Sequence, residues 1–235
     1  MEPTFGLGHV WAQGDWVIRS VAVILLLMSV ATWTVIIVKA LALRRHMAQA
    51  KRVEGFWHSA GMAAGIQQLG EPDDNPFQQL AVQGQEALAH IQHADGDAKR
   101  QLHEQVDSSE WVTRALRNTI DDTITRLQAG MVILASVGST APFIGLFGTV
   151  WGIYHALMAM ATAGTATIDK VAGPIGEALI MTALGLAVAI PAVLGYNALV
   201  RGNKGLVHKL NRFAHDLHAY LVTGARVAQS AKPVT

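Results

Sequence analysis

Between Arg126 and Asp169 lie 42 consecutive residues without an Asp, Glu, Lys or Arg. A membrane-spanning helix needs about 20 consecutive, mostly apolar residues. By length alone this run would hold two crossings, with a turn near residues 139–142. However, residues 161–169 (ATAGTATID) are small and polar, which is typical of a loop. We therefore predict one long span at residues 127–158, with Pro142 bending its helix locally.

Two more segments are apolar enough to cross a bilayer. Nineteen uncharged residues separate Arg19 from Lys39, and Glu177 is the one charged side chain within residues 171–200. Charged residues make up only 15% of the chain, against about 25% in a typical soluble domain. We predict a first span at residues 17–39 and a third at 171–200, and hence an integral membrane protein anchored in a lipid bilayer.

The basic residues outside the spans predict the orientation. The 1–16 tail has no Lys or Arg, and the 159–170 hairpin has only Lys170, whereas Lys and Arg cluster after the first and third spans. Because cytoplasmic flanks carry the excess of Lys and Arg, the tail and the hairpin are expected outside the cell membrane. A cytoplasmic helical domain at 40–126 and a cytoplasmic C-terminal segment at 201–235 follow. Four spans would put the C-terminal basic cluster outside.

The cytoplasmic part shows helical patterns and no strand pattern, so we predict an all-α fold. Residues 70–76 (GEPDDNP) and 93–97 (HADGD) predict breaks, with Asn75 as an N-cap and Pro76 in the first helical position. From Asp107 onward, apolar residues recur every three or four positions. This pattern predicts one uninterrupted helix that continues into the second span. The stripe consists of Val112, Leu116, Ile120, Ile124, Leu127 and Met131.

Glu177 is the main candidate for a functional residue. A charge at the centre of a bilayer costs at least about 2.5 kcal/mol, and such residues usually face a bundle interior and mark an ion or proton path. The alternative is that Glu177 lies near the outer interface and is merely solvated. Pro174, which suits a first helical turn, leaves that alternative open. Pro191 predicts a kink or a helix end in the same segment.

Hydroxyl and small residues are weaker signals. Thr149 and Thr182 would ordinarily bond their own backbone or a neighbouring helix. Thr182 lies about 140° around an ideal helix from Glu177, so the two share a cavity only if it is wide. Small residues let helices approach closely. Helix packing is assigned to Gly145, Gly148, Gly152 and Pro142.

Several classes of function lack support. The chain has no Cys, a net charge of +1 and no common nucleotide-binding or hydrolase motif, so we predict neither nucleic-acid binding nor an enzyme. The ten His residues are interpreted mostly as solvated surface groups, with no metal site and no cofactor. His155, at the outer end of the second span, is a candidate interfacial residue.

Two segments resemble a known family closely. Residues 136–157 (SVGSTAPFIGLFGTVWGIYHAL) and 171–197 (VAGPIGEALIMTALGLAVAIPAVLGYN) resemble the ExbB/TolQ family of inner-membrane motor proteins, distantly related to MotA. The first span fits more loosely. Ile180 and Met181 are bulkier than the residues that the family commonly carries before the threonine at the position of Thr182.

The resemblance implies an architecture and partners. It implies a three-span protein of the bacterial inner membrane, with long cytoplasmic helices, that assembles as a homopentamer. The second and third spans would line a central lumen that holds the single-span helices of ExbD or TolR. Proton flow would drive TonB, or TolA in the Tol system. The lumen residues of the family map onto Glu177, Thr149 and Thr182.

The resemblance thus implies a proton-driven motor subunit of the ExbB branch, with the TolQ branch as the near alternative. A passive pentameric membrane scaffold, in which Glu177 only satisfies a neighbour, is the alternative from another class. A secondary transporter is a third class, but no inverted repeat of the transporter kind is present. The sequence leaves open whether Glu177 carries the proton or positions a membrane Asp of the partner.

Overall fold

The computed structural model describes residues 15–70, 74–94, 108–163 and 168–224. Within these residues the chain forms helices and no strand, which confirms the all-α prediction. The helices are α1 (Trp16–Ala50), α2 (Val53–Trp57), α3 (Met62–Leu69), α4 (Pro76–Ala94), α5 (Ser108–Gln128), α6 (Met131–Ala163) and α7 (Ile168–Thr223).

Three stretches are long and apolar enough to span a membrane, as the sequence predicts. They fall within Trp16–Trp57, Ser109–Thr162 and Gly173–Thr223. The apolar parts of α1, α6 and α7 belong to one compact unit, made of residues up to Lys39 and of Gly130–Leu199. A second unit takes in Ala40–Ala129 and the residues from Val200 onward.

The first unit, which we call the membrane unit, is a three-helix bundle. Its core is built from small and medium apolar side chains: Val21, Leu25, Val137, Ala141, Met181, Val188, Ala189 and Ala192. Its outer faces are apolar as well, since Leu27, Phe143 and Leu194 are all well exposed. A helix that is apolar all round is typical of a membrane span, so these faces are suited to lipid or to further chains.

The second unit, which we call the polar unit, has a larger core that includes aromatic residues. Phe56, Phe77 and Phe213 are buried there together with leucines of α3, α4, α5 and α7. The predicted stripe on α5 is confirmed: Val112, Leu116, Ile120 and Leu127 are buried and Ile124 packs against the same core. The core is therefore formed along the face that the periodicity indicates.

Helix α4 begins where the sequence predicts. The Asn75 side chain is 1% exposed, and its Oδ1 accepts hydrogen bonds from the Phe77 and Gln78 amides at 3.2 and 3.4 Å. Its Nδ2 donates to the Leu69 carbonyl at 2.7 Å, which ties the start of α4 to the end of α3. Pro76 is the first helical residue. Asn75 is therefore the N-cap that the sequence indicates.

The prediction of one uninterrupted helix through residue 130 is wrong. Helix α5 ends at Gln128, and Gly130 adopts φ = 79° before α6 begins at Met131. Glycine reaches this left-handed region at little cost, because it has no Cβ to clash with the backbone. A two-residue turn therefore separates the two helices.

The prolines and the hairpin also differ from the predictions. Pro174 and Pro191 both lie inside α7, so Pro174 is not in a first turn and Pro191 does not end a helix. Helix α6 continues through Pro142 to Ala163, and α7 starts at Ile168, so both ends of the predicted 159–170 loop are helical. Residues 164–167, in the middle of that loop, lie outside the described residues. Prolines are tolerated within membrane helices when neighbouring groups satisfy the freed carbonyls.

Candidate functional site

Glycines allow α6 and α7 to approach to backbone contact. A Cβ placed on Gly145 would lie 2.6 Å from the Met181 carbonyl oxygen and 3.0 Å from the Gly185 Cα. A Cβ on Gly185 would lie 2.7 Å from the Ala141 carbonyl oxygen. Backbone atoms cannot move aside as a flexible side chain does, so any larger residue would separate the helices. The prediction that Gly145 serves helix packing fits this geometry.

The same crossing includes the first span. A Cβ on Gly148 would lie 3.1 Å from both the Met181 Cβ and the Val21 Cγ1, and a Cβ on Gly152 would lie 2.8 Å from the Ala178 Cβ. Met181 is fully buried, with its side chain over Gly148. The bulk of Met181 is therefore accommodated by the missing side chain of Gly148.

Thr149 and Thr182 meet at this crossing. Their hydroxyl oxygens are 2.6 Å apart, and Thr149 Oγ1 lies 2.7 Å from the Ala178 carbonyl oxygen and 3.3 Å from the Gly145 carbonyl oxygen. A carbonyl only accepts, so Thr149 uses its single proton towards a carbonyl, and Ala178 offers the shorter distance. The bond between the two hydroxyls then runs from Thr182 to Thr149. This arrangement leaves acceptor capacity on Thr182.

Glu177 lies one residue before the carbonyl that Thr149 binds. Its side chain is half-buried within the membrane unit, whereas its neighbour Ala178 is buried against α6. Thr149 is buried and Thr182 is half-buried. The structure thus brings the two threonines into contact with each other and with the backbone next to Glu177, on a face that one protomer covers only in part.

Pro142 lies on the same helix, beside the glycine contact. It is half-buried and follows Ala141, whose carbonyl oxygen approaches Gly185. Because proline lacks an N–H, this turn of α6 has one backbone hydrogen bond fewer.

Two features of the site were missed by sequence reasoning. Met181 fills the centre of the bundle, and only the pairing of α6 with α7 reveals that Gly148 makes room for it. His155 Nε2 lies 3.5 Å from Asp15 Oδ2, while its ring lies against Trp151 with centroids 4.6 Å apart. His155 Nδ1 is 3.2 Å from the Trp151 carbonyl oxygen. The i, i+4 spacing of Trp151 and His155 was the available signal.

No group of three or more His, Asp or Glu side chains lies close enough to hold a metal ion within the described ranges. The crossing and the residue next to it supply one carboxylate, two hydroxyls and close-packed backbone. A carboxylate can take up and release a proton, and hydroxyls can donate and accept hydrogen bonds.

Curated relatives cover most of the chain. It is 44% identical over 219 residues to the biopolymer transport protein ExbB of Xanthomonas campestris pv. campestris, covering 92% of this chain and 86% of the relative. It is 41% identical over 213 residues to the biopolymer transport protein ExbB of Neisseria meningitidis, covering 91% and 96%. The Tol-Pal system protein TolQ of Pseudomonas aeruginosa is 35% identical over 215 residues, covering 87% of each chain.

A family match covers more than half of the chain and includes the crossing. Residues 76–212 match the MotA/TolQ/ExbB proton channel family. The matched range contains α4, α5 and α6 and the part of α7 that carries Glu177 and Thr182. The chain belongs to the MotA/TolQ/ExbB proton channel family.

Proposed function

We propose that the chain is the ExbB-type subunit of a proton-driven motor in the bacterial inner membrane. Several copies, five by the family resemblance, surround the single-span helices of an ExbD-type partner. Proton entry through the complex energises a TonB-type protein for uptake across the outer membrane. The N-terminus lies outside the inner membrane and the C-terminus inside, in agreement with the clusters of Lys and Arg after the first and third spans.

The observation that carries the proposal is the position of Glu177. It stands in an apolar segment, and its own chain buries it only in part. At the centre of a bilayer, lipid contact would cost a carboxylate at least about 2.5 kcal/mol, so we expect sister chains to shield the exposed part from lipid and from bulk water. Thr182 lies on the same helix as Glu177. Its hydroxyl oxygen is 2.6 Å from Thr149 Oγ1, which in turn is 2.7 Å from the Ala178 carbonyl oxygen.

The membrane potential supplies the energy for such a motor. It provides about 2.3 kcal/mol per elementary charge per 100 mV, and a titratable group reached in turn from each side can use it. We assign to Glu177 either the uptake and release of the proton or the positioning of a partner carboxylate, and both assignments need the carboxylate.

Glu177→Gln separates the motor from a passive scaffold. Glutamine keeps the size of the side chain and one acceptor oxygen, replaces the other oxygen by an NH2 donor, and removes the titratable group. We expect TonB-dependent uptake to be abolished while the complex still assembles at its normal mass. Uptake at the wild-type rate, or loss of assembly, would instead favour the scaffold.

A TolQ-type role is the second candidate, because a TolQ relative is 35% identical over most of the chain. Complementation of a double-deletion strain with each partner set in turn distinguishes the branches. Expression in a strain lacking both ExbB and TolQ, together with each cognate partner set, is expected to restore iron-complex uptake. Restoration of outer-membrane integrity alone would assign the chain to the Tol system.

A further inference from the structure

Two glycines of α7 lack the packing that explains the other helical glycines of the membrane unit. A Cβ on Gly173 or Gly176 would meet no described atom within 4 Å. At the other glycines of α6 and α7 in this unit, a Cβ would lie 3.1 Å or less from an atom of a neighbouring helix: Gly138, Gly145, Gly148, Gly152, Gly185 and Gly195. Glycine weakens a helix relative to alanine because it has more conformational freedom to lose. Gly173 and Gly176 therefore weaken α7 without a packing contact in the protomer that needs them.

Pro174 weakens the same turn of α7. It has no N–H, so this turn has one backbone hydrogen bond fewer. The two other prolines of the long membrane helices stand beside fully buried alanines, Pro142 beside Ala141 and Pro191 beside Ala192. Pro174, in contrast, is exposed, and neither of its neighbours along the chain is buried. Side-chain packing therefore holds the helix in place at the other two prolines, and much less at Pro174.

Helix α7 is firmly held from Ala178 onward. Ala178 is buried, its carbonyl oxygen accepts a 2.7 Å hydrogen bond from Thr149 Oγ1, and its Cβ would lie 2.8 Å from a Cβ on Gly152. Met181, less than one turn further on, is fully buried. Few buried contacts lower the free energy of local opening. Glu177 thus stands at the boundary between a weakly held and a firmly held part of one helix.

We propose that residues 173–176 form a hinge in α7, and that its opening turns the Glu177 side chain while the helix from Ala178 onward stays in place. Sharp bends in helices occur mostly at prolines and at small residues such as glycine. The inference rests on the proposed function, in which a titratable group is reached in turn from each side of the membrane. Residues 168–176 lie at the outer end of α7 in the proposed orientation, so the opening gives the outer side access to the carboxylate.

Amide hydrogen exchange in the complex with its partner, in lipid nanodiscs, tests the hinge directly. The reference is the outer end of α6, residues 153–162. Because Gly152 lies against Ala178, this segment and residues 168–177 start from the same level of the membrane unit. We expect protection factors about tenfold lower in 168–177 than in 153–162, because fewer contacts hold the former. Equal protection of the two segments would overturn the hinge.

Gly176→Ala tests whether glycine causes the opening. The added methyl group meets nothing in the protomer, so its effect is on helix propensity. We expect exchange in 168–177 to slow by about two- to fivefold, which corresponds to about 0.5–1 kcal/mol. Gly205→Ala is the matched control, because Gly205 also lies within α7 and its Cβ would make an ordinary 3.5 Å contact with Met47. The control should leave exchange in 168–177 unchanged, and an equal effect of both substitutions would contradict the proposal.

Pro174→Ala combined with Gly176→Ala tests the role of the hinge in the motor. We expect TonB-dependent uptake to fall severalfold while the complex keeps its normal mass and Gly205→Ala keeps its uptake. Uptake at the wild-type rate despite slowed exchange would overturn this role, and it would leave the proposed function intact if Glu177→Gln still abolishes uptake. Loss of assembly would show that another chain packs closely against these residues, which would also overturn the hinge.

Discussion

At the scale of single residues, Thr149 connects the second and third spans by hydrogen bonds. Its hydroxyl bonds both the Ala178 carbonyl and Thr182 across the crossing. Hydrogen bonds between membrane helices contribute about 0.6 kcal/mol on average and at most about 1.7. Thr149→Val keeps the shape and removes both bonds, so we expect the free energy of unfolding in detergent to fall by about 1 kcal/mol.

The matched control for this prediction is Thr149→Ser, which keeps the hydroxyl and is expected to retain most of the stability. Thr182→Val should lower the free energy of unfolding less in the Thr149→Val background than in the wild type, because the bond that the two hydroxyls share is already lost. Additive losses in that double-mutant cycle would contradict the 2.6 Å contact between the hydroxyls.

The sequence made Glu177 a candidate, and the family resemblance added Thr149 and Thr182, but neither indicated their arrangement. The carboxylate stands out because it is the one charged group in an apolar run. The meeting of Thr149 with Thr182 depends on how α6 and α7 pair, and helix period alone does not determine that pairing. The burial of Met181 over Gly148 was missed for the same reason, and the approach of His155 to Asp15 because it depends on how α6 packs beside the start of α1.

At the scale of helices, the crossing of α6 and α7 depends on the absence of side chains. Gly145→Ala would place a Cβ 2.6 Å from the Met181 carbonyl oxygen. We expect a clear fall in the melting temperature of the purified protein. Gly173→Ala is the control, because its Cβ would meet nothing within 4 Å and alanine favours a helix over glycine. Equal effects of the two substitutions would show that the helices do not cross at Gly145.

The start of α4 gives a second prediction at this scale. Asn75→Ala removes the cap of α4 and the bond to the Leu69 carbonyl, so we expect a loss of about 1–3 kcal/mol in the stability of the polar unit. Asn75→Asp keeps the capping acceptor and loses the donor to the Leu69 carbonyl. Its stability should therefore lie between that of the wild type and that of Asn75→Ala. Far-ultraviolet circular dichroism during chemical unfolding measures both. An unchanged midpoint for Asn75→Ala would exclude the capping role.

Helix boundaries were predictable where a side chain or proline sets them, and not elsewhere. Asn75 and Pro76 give a local signal that the structure follows. At Gly130 the periodic pattern of α5 continues across a left-handed turn, so periodicity gave no sign of the break. The first-turn prediction for Pro174 and the helix-end alternative for Pro191 failed because a membrane helix tolerates prolines that would end a soluble one.

At the scale of the whole molecule, one protomer covers its candidate functional group only in part. Glu177 is only half-buried, and the outer faces of the membrane unit are apolar. The number of spans was predictable from runs without charge. The number of copies enters only through the family resemblance, since no contact within one chain determines it.

The central claim is that Glu177 is kept from lipid by sister subunits and is also withheld from bulk water. A nitroxide attached at Glu177→Cys in the assembled complex in bilayers tests it by paramagnetic accessibility. Leu27→Cys, on an exposed apolar position of α1, gives the lipid reference, and Glu54→Cys, on an exposed position of α2, gives the water reference. The account predicts that the label at 177 collides less with lipid-dissolved oxygen than the label at 27, and less with an aqueous nickel chelate than the label at 54. Oxygen accessibility equal to that at 27, or nickel accessibility equal to that at 54, would contradict it.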